Sequence, residues 1–289
     1  MTEICRMGVR GRLARRIGST ASCLVLGACA SAGGSDGLHA TLWMQTAVEY
    51  RAVAEQAYRS AADALAEALA DSSWTAALEQ RPGYERLPPA IILDVDETVL
   101  DHSVFDARMV RAGTEFDPAS WAEWVEEARA RAVPGAVPFL RAAVARGVTA
   151  FFISNTQAEL EASYRRNFAR LGLPLDPEVD TILLLGERPA WGWDKTSRRA
   201  FVAERFRVLL LIGDDLNDFV PARTSREERL ALMRRHEERW GRTWFMLPNP
   251  LYGSWRDALY GFRSGLSAEE KHRIKLGALD EEGSEEPFR

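Results

Sequence analysis

The segment richest in chemical information is Ile91-Ile92-Leu93-Asp94-Val95-Asp96-Glu97-Thr98-Val99-Leu100. An apolar run closing on Asp-x-Asp reads as a buried strand that carries Asp94 to its carboxyl end. The alternation of side chains then puts Asp96 on the same side while the backbone stays extended. Two carboxylates held that close repel each other, so the pair needs a cation or a shared proton unless both are solvated loop acids. An EF-hand loop also begins Asp-x-Asp, but here Val99 stands at its obligatory glycine and a buried strand precedes it. Three later segments carry polar groups suited to a phosphorylated ligand. Ser154-Asn155 offers a hydroxyl for a phosphoryl oxygen, Gly213-Asp214-Asp215-Leu216-Asn217-Asp218 a second carboxylate cluster, and Trp193-Asp194-Lys195 an ammonium just before a helix.

Parts of the chain far apart in sequence must be brought together for these groups to act as one. Four continuous apolar runs, Ala90–Leu93, Val148–Ile153, Thr181–Leu185 and Val208–Ile212, read as strands buried on both faces of a parallel sheet, and Thr243–Leu247 offers a fifth. Helical stretches near Pro138–Arg146, Leu160–Leu171 and Ser197–Phe206 alternate with them, which implies a doubly wound α/β sheet. Ser154 and the 213–218 cluster thus follow strands, at the sheet edge where open α/β folds bind ligands. Between the first two strands an excursion from Asp101 to Pro134 holds Phe116, Trp121 and Trp124 around a helical Ala119–Ala130, a small cap over that edge. Ala40 to about Ala70 is one long amphipathic helix or two shorter ones, which either covers the core or builds a dimer. The charged stretch Ser225–Trp240 reads as a solvated helix.

In the order Asp-x-Asp-x-Thr, Ser, Lys, Gly-Asp-x-x-x-Asp, the chain resembles the haloacid dehalogenase (HAD) superfamily of phosphohydrolases. Pro134-Gly135-Ala136-Val137, Phe219 after the Gly-Asp cluster, and Asn249-Pro250-Leu251-Tyr252-Gly253-Ser254-Trp255 narrow the resemblance to class C bacterial acid phosphatases of the lipoprotein e family, some of which are 5′-nucleotidases. It covers roughly residues 40–262, departing at His102, Phe105 and Thr156. The resemblance implies Asp94 as nucleophile, Asp96 as acid and base, and Ser154 with Lys195 on the phosphoryl oxygens. It implies Mg²⁺ or a similar cation at Asp94, the Asp96 carbonyl and Asp214, with Asp218 holding its water shell or orienting Lys195. Oxygen donors without thiols suit such an ion. Asn155 and the aromatics Trp121, Trp124 and Tyr252 are candidates for substrate contacts, although Trp121 and Trp124, three apart on a helix, are equally suited to core packing. His102 is a phosphate-pocket donor or a structural histidine. Phosphotransfer from the same intermediate, and a non-catalytic envelope protein on this scaffold, are the competing functions.

The net charge is −5 over 289 residues, yet residues 1–28 hold five Arg and one Glu, so the body is more acidic still. Such a body repels nucleic-acid polymers. Cys5, Cys23 and Cys29 lie in the first 29 residues, leaving no thiol for a disulfide or zinc site in the body. No apolar run approaches the ~20 residues needed to span a bilayer. The basic start, the apolar 17–28 stretch and Leu26-Gly27-Ala28-Cys29 have the layout of a lipoprotein signal, with Cys29 lipidated and 29–39 as a flexible tether. The expected plan is a signal at 1–28, a tether, a helical segment at 40–86, a phosphatase core at 87–262 with its cap near 101–134, and a helical and acidic tail at 263–289. That places the protein in the cell envelope, anchored by lipid to the bacterial outer membrane.

Overall fold

The computed structural model describes residues 37–281 and Gly283. The expected signal, Cys29 and most of the tether and acidic tail lie outside these residues. In chain order the elements are α1 (Leu38–Thr46), α2 (Val48–Ala70), β1 (Pro89–Leu93), β2 (Leu100–Asp101), α3 (Ser103–Ala112), α4 (Pro118–Glu126), β3 (Arg131–Ala132), α5 (Ala136–Ala145), β4 (Thr149–Gln157), α6 (Glu161–Leu171), β5 (Ile182–Leu185), α7 (Thr196–Ala203), β6 (Arg207–Gly213), α8 (Arg226–Arg235), β7 (Trp244–Met246), α9 (Ser254–Leu259) and α10 (Ala268–Gly277).

Five strands pair in the order β5-β4-β1-β6-β7, all parallel. β1 sits at the centre. The chain winds outward from it to β4 and β5, then returns to its other side for β6 and β7, so the winding reverses between β1 and β6. At such a reversal the connections leave the strand ends in opposite directions and open a crevice. Asp94 follows β1 and Asp214 follows β6, on its two sides.

The continuous apolar runs have a direct physical reason. Ile91 and Leu93 enter the core on one face with Tyr58, Phe139 and Phe152, whereas Ala90 and Ile92 enter the core on the other with Phe151, Val208 and Trp244. Each alternate side chain meets a separate apolar layer, so the strand is buried on both faces from Ala90 to Leu93. Truncating such a residue to alanine costs about 2–5 kcal/mol.

The amphipathic N-terminal stretch is two helices, broken at Ala47, whose ψ of 128° is extended. α2 covers the core, burying Tyr50, Ala54, Tyr58, Ala61, Ala64, Leu65 and Ala68. It approaches α5 closely at Gly135, which has φ of 92°; a Cβ there would lie 3.0 Å from the Tyr58 side chain. Past α2, Trp74 Nε1 donates to Leu209 O at 2.9 Å and Ala76 N to Val208 O at 2.8 Å, fastening the N-terminal segment to β6. The excursion after β1 differs in detail from the single helix expected. A short antiparallel β2–β3 ladder closes its base and two helices, α3 and α4, fill it. Among the described residues, no helix is long and apolar enough to cross a membrane.

Candidate active site

Beyond β1 the chain turns sharply. Glu97 occupies the left-handed region at φ 62°, and Val99 N and Leu100 N both donate to Val95 O at 2.8 Å. A non-glycine residue there is strained and persists only when its surroundings hold it. Here the Glu97 carboxylate accepts from His102 N at 2.8 Å and from the Tyr252 hydroxyl, so its side chain pins the turn. Burial, then Asp106 beside it, raises the Glu97 pKa well above the usual carboxylate range.

Four stretches of chain meet at the carboxyl edge of the sheet. Oxygens of Asp94, Asp214 and Asp218 lie within 4.8 Å of one another. Lys195, buried at the start of α7, donates to Asp94 Oδ1 and, at 2.6 Å, to Asp218 Oδ1. Thr98 Oγ1 and Asn249 Nδ2 donate to the two oxygens of Asp214, at 3.1 and 2.8 Å. The approach of Asp218 requires glycine at 213, since a Cβ there would sit 2.2 Å from Asp218 Oδ2.

The charge is not balanced by these partners. Burial pushes Asp94 up to about 7; Asp218 and Asp96 add to the rise, and Lys195 offsets part of it. Burial and then Asp94 raise Asp214 well above the ordinary range, and burial raises Asp218. Lys195 is held as an ammonium, because Asp218 and Asp94 outweigh the opposing effect of its burial. One cation among three carboxylates, two of them buried, leaves a deficit of positive charge. The donor set, all oxygen, fits a hard divalent ion.

Asp96 faces a different environment. Its Oδ2 accepts from Ser154 Oγ at 2.7 Å and its Oδ1 from the Tyr164 hydroxyl at 2.6 Å. His102 Nε2 lies 2.8 Å from the same Oδ1, an ion-pair contact too bent to count as a hydrogen bond, and Nε2 makes no hydrogen bond elsewhere. Burial raises the Asp96 pKa, but these donors, His102 foremost, outweigh it and leave the group below the ordinary value. The carboxylate is therefore directed away from the Asp94–Asp214–Asp218 cluster, and only its main chain remains for the metal role expected of it.

This geometry belongs to a known family. The family model for the HAD superfamily, subfamily IIIB (acid phosphatase) matches residues 35–255. The chain belongs to that family. Its members are phosphatases, hydrolases of small phosphomonoesters. A solved class C acid phosphatase from Bacillus anthracis is 33% identical with a TM-score of 0.76, the match covering 86% of this chain and 98% of that one. A second structure of the class C acid phosphatase from Bacillus anthracis, with tungstate bound, matches at 32% identity, a TM-score of 0.76 and the same coverage.

Within this acid phosphatase fold the remaining expected residues divide. Asn155 spends its side chain on protein partners, donating to Trp193 O at 3.0 Å and accepting from Arg198, and so ties the Ser154 loop to the segment before Lys195. Trp124 is buried and donates from Nε1 to His102 Nδ1 at 2.7 Å, so no face of it is free to stack on a substrate. Trp121 is half-buried, 6.2 Å from the exposed Phe116 and edge-on to His102 at 4.8 Å. Tyr252 is half-buried against Glu97.

The sequence reading passed over Tyr164, Arg198 and the role of Glu97. Arg198 is fully buried and ties Ser154 O, the Asn155 side chain and Gly192 O together. It thereby fixes the spacing between the Ser154 and Lys195 loops. The adjacent arginines Arg198 and Arg199 ahead of the apolar end of α7 were the available signal for it. Tyr164 carried none, since a tyrosine on the buried face of a helix looks like packing.

Proposed function

We propose that this phosphatase is metal-dependent and hydrolyses small phosphomonoesters, nucleoside 5′-monophosphates among them, through an aspartyl-phosphate on Asp94. The observation that carries the reading is Lys195 bridging Asp94 and Asp218 beside Asp214. A phosphomonoester dianion cannot approach a carboxylate nucleophile unless its charge is offset. The Lys195 ammonium supplies one share of that offset. A Mg²⁺ ion held by Asp94, Asp214, Asp218 and the Asp96 carbonyl would supply the rest when bound. The tungstate in the Bacillus anthracis structure is a tetrahedral oxyanion, like phosphate, and supports a site built for such anions.

In the first half-reaction an Asp94 carboxylate oxygen forms a bond to phosphorus as the ester P–O bond breaks. Asp96, low in the free protein, takes up a proton as the charge of the ester dianion beside it raises its pKa, and gives that proton to the departing oxygen. In the second, Asp96 takes a proton from water, whose oxygen attacks phosphorus and releases the Asp94 carboxylate with inorganic phosphate. Ser154, now hydrogen-bonded to Asp96, is within reach to exchange that partner for a phosphoryl oxygen. Trp121 and Phe116 stack on a flat leaving group. On this reading Trp121→Ala raises KM for nucleoside monophosphates more than for glycerol phosphate, and equal effects argue against stacking.

The test of the main claim is hydrolysis of p-nitrophenyl phosphate and a nucleoside monophosphate, with and without EDTA, by the wild-type protein and Asp94→Asn. Turnover that survives either EDTA or the substitution at the wild-type rate ends the reading. We also propose that Leu26-Gly27-Ala28-Cys29 directs lipidation and attachment to the outer membrane. Cys29→Ser should then move the activity from the membrane fraction to the soluble one.

A further inference from the structure

We propose that His102 is a positioning residue which, clamped by Trp124, aims the Asp96 carboxylate at the leaving-group oxygen. The inference rests on the reading of Asp96 as the general acid. Three observations carry it. Trp124 Nε1–H has only donor character and points at His102 Nδ1 from 2.7 Å, so Nδ1 must be the acceptor. The ring proton of the neutral imidazole then resides on Nε2, the atom 2.8 Å from Asp96 Oδ1. Indole and imidazole are both buried, His102 at 2% and Trp124 at 3% exposure, so water does not replace either contact.

The clamp comes from the segment inserted between β1 and β4. His102 precedes α3 and Trp124 lies on α4, whereas Asp96 belongs to the turn after β1. The backbone N–H of His102 also donates to Glu97 Oε1, which fixes the residue to that turn from a second direction. Trp121 packs edge-on against the imidazole at 4.8 Å and limits its rotation. Of the three donors around Asp96, the Ser154 hydroxyl and the Tyr164 hydroxyl can rotate, and Tyr164 OH also lies 2.7 Å from Thr156 Oγ1. The His102 Nε2 proton has no rotor: its direction follows the ring, and Trp124 holds the ring. Its bent approach leaves room for the carboxylate to swing when substrate arrives, as catalytic hydrogen bonds commonly tighten only in the complex.

A residue that merely supports packing weakens turnover of all esters alike. One that aims a general acid matters most where the departing oxygen is a poor leaving group. The experiment measures kcat/KM, which reports steps up to P–O cleavage and is blind to breakdown of the phosphoenzyme, across aryl and alkyl phosphates of increasing leaving-group pKa. His102→Ala is expected to lose about 10-fold or more with alkyl phosphates but little with p-nitrophenyl phosphate, steepening the leaving-group dependence. His102→Gln, whose amide can donate from a similar place, recovers part of the alkyl activity, and Trp124→Phe falls between the wild type and His102→Ala.

Equal losses across the series overturn the proposal, as does a KM effect without steepening, which would put His102 on the phosphate itself. Should the alanine variant not fold, Trp124→Phe carries the test, and an unchanged slope there has the same force. Asp96→Asn separates the two levels. If it leaves the slope unchanged, the general-acid reading fails; if it steepens the slope while the His102 and Trp124 variants do not, only the positioning role falls.

Discussion

Two aspartates two residues apart at one strand end live in opposite surroundings. Asp94 shares its space with Asp214 and Asp218 and is raised to about 7 by burial, with Asp218 and Asp96 adding to the rise and the Lys195 ammonium set against it. Asp96, half-buried, is ringed by the hydroxyls of Ser154 and Tyr164 and by the His102 ring, and is lowered. Burial alone does not set the behaviour of a carboxylate; the count of donors against neighbouring charges does. The first environment lacks positive charge and suits an anionic ester with its counter-ion. The second holds a carboxylate in a fixed direction, as proton transfer requires.

The largest expected effect breaks the first environment. Lys195→Ala removes the cation between two buried carboxylates, which should lower kcat by about 10²–10³-fold and destabilise the metal-free protein by about 3–5 kcal/mol, measured by steady-state kinetics and denaturant melts in EDTA. Gly213→Ala acts on the same half by geometry. Its Cβ would sit 2.2 Å from Asp218 Oδ2, so the loop after β6 must shift, at about 1–3 kcal/mol by thermal melt.

Protons probe the same half more gently. Folded Asp94 holds its proton up to about pH 7, against an ordinary value of 3.8. The metal-free fold therefore binds more protons than the unfolded chain in that window, so this contribution to stability is present below the ordinary value and is lost as pH rises towards 7. A divalent ion competes with those protons. The gain in Tm on adding Mg²⁺ should therefore widen from pH 4.5 to pH 7, and a constant gain would contradict the account. The smallest effect belongs to the other half: Tyr164→Phe removes one of three donors to Asp96. We expect a loss of a few-fold in kcat, with the limb of the pH–rate profile that reports Asp96 moving upward.

The strands and the residues at their ends were legible because burial on both faces leaves an unbroken apolar run, and such a run ends abruptly where the site begins. Asp94, Asp214 and Asp218 could be singled out for that reason and Lys195 from its place just before a helix, and they do converge. The cap was legible as an excursion but not in its parts. β2 and β3 are two residues each, too short for any periodicity, and α3 mixes Ser103 and Asp106 into its buried face. Tyr164 reaches Asp96 from 68 positions away, and Trp124 reaches His102 across a helix and a loop; neither pairing has a local signature. Ser154 touches Asp96, while the side chain of its neighbour Asn155 is bonded to Arg198 and Trp193, partners with no local signature.

The central claim is tested most directly by trapping. With an aryl phosphate whose leaving group needs no proton, Asp96→Asn should still phosphorylate Asp94 but lack the base that hydrolyses the product. Acid quench and peptide mapping should then find one phosphoryl group on Asp94, formed with a stoichiometric burst of phenol. A burst with the phosphoryl group on another residue, or with none on the protein, would contradict the account.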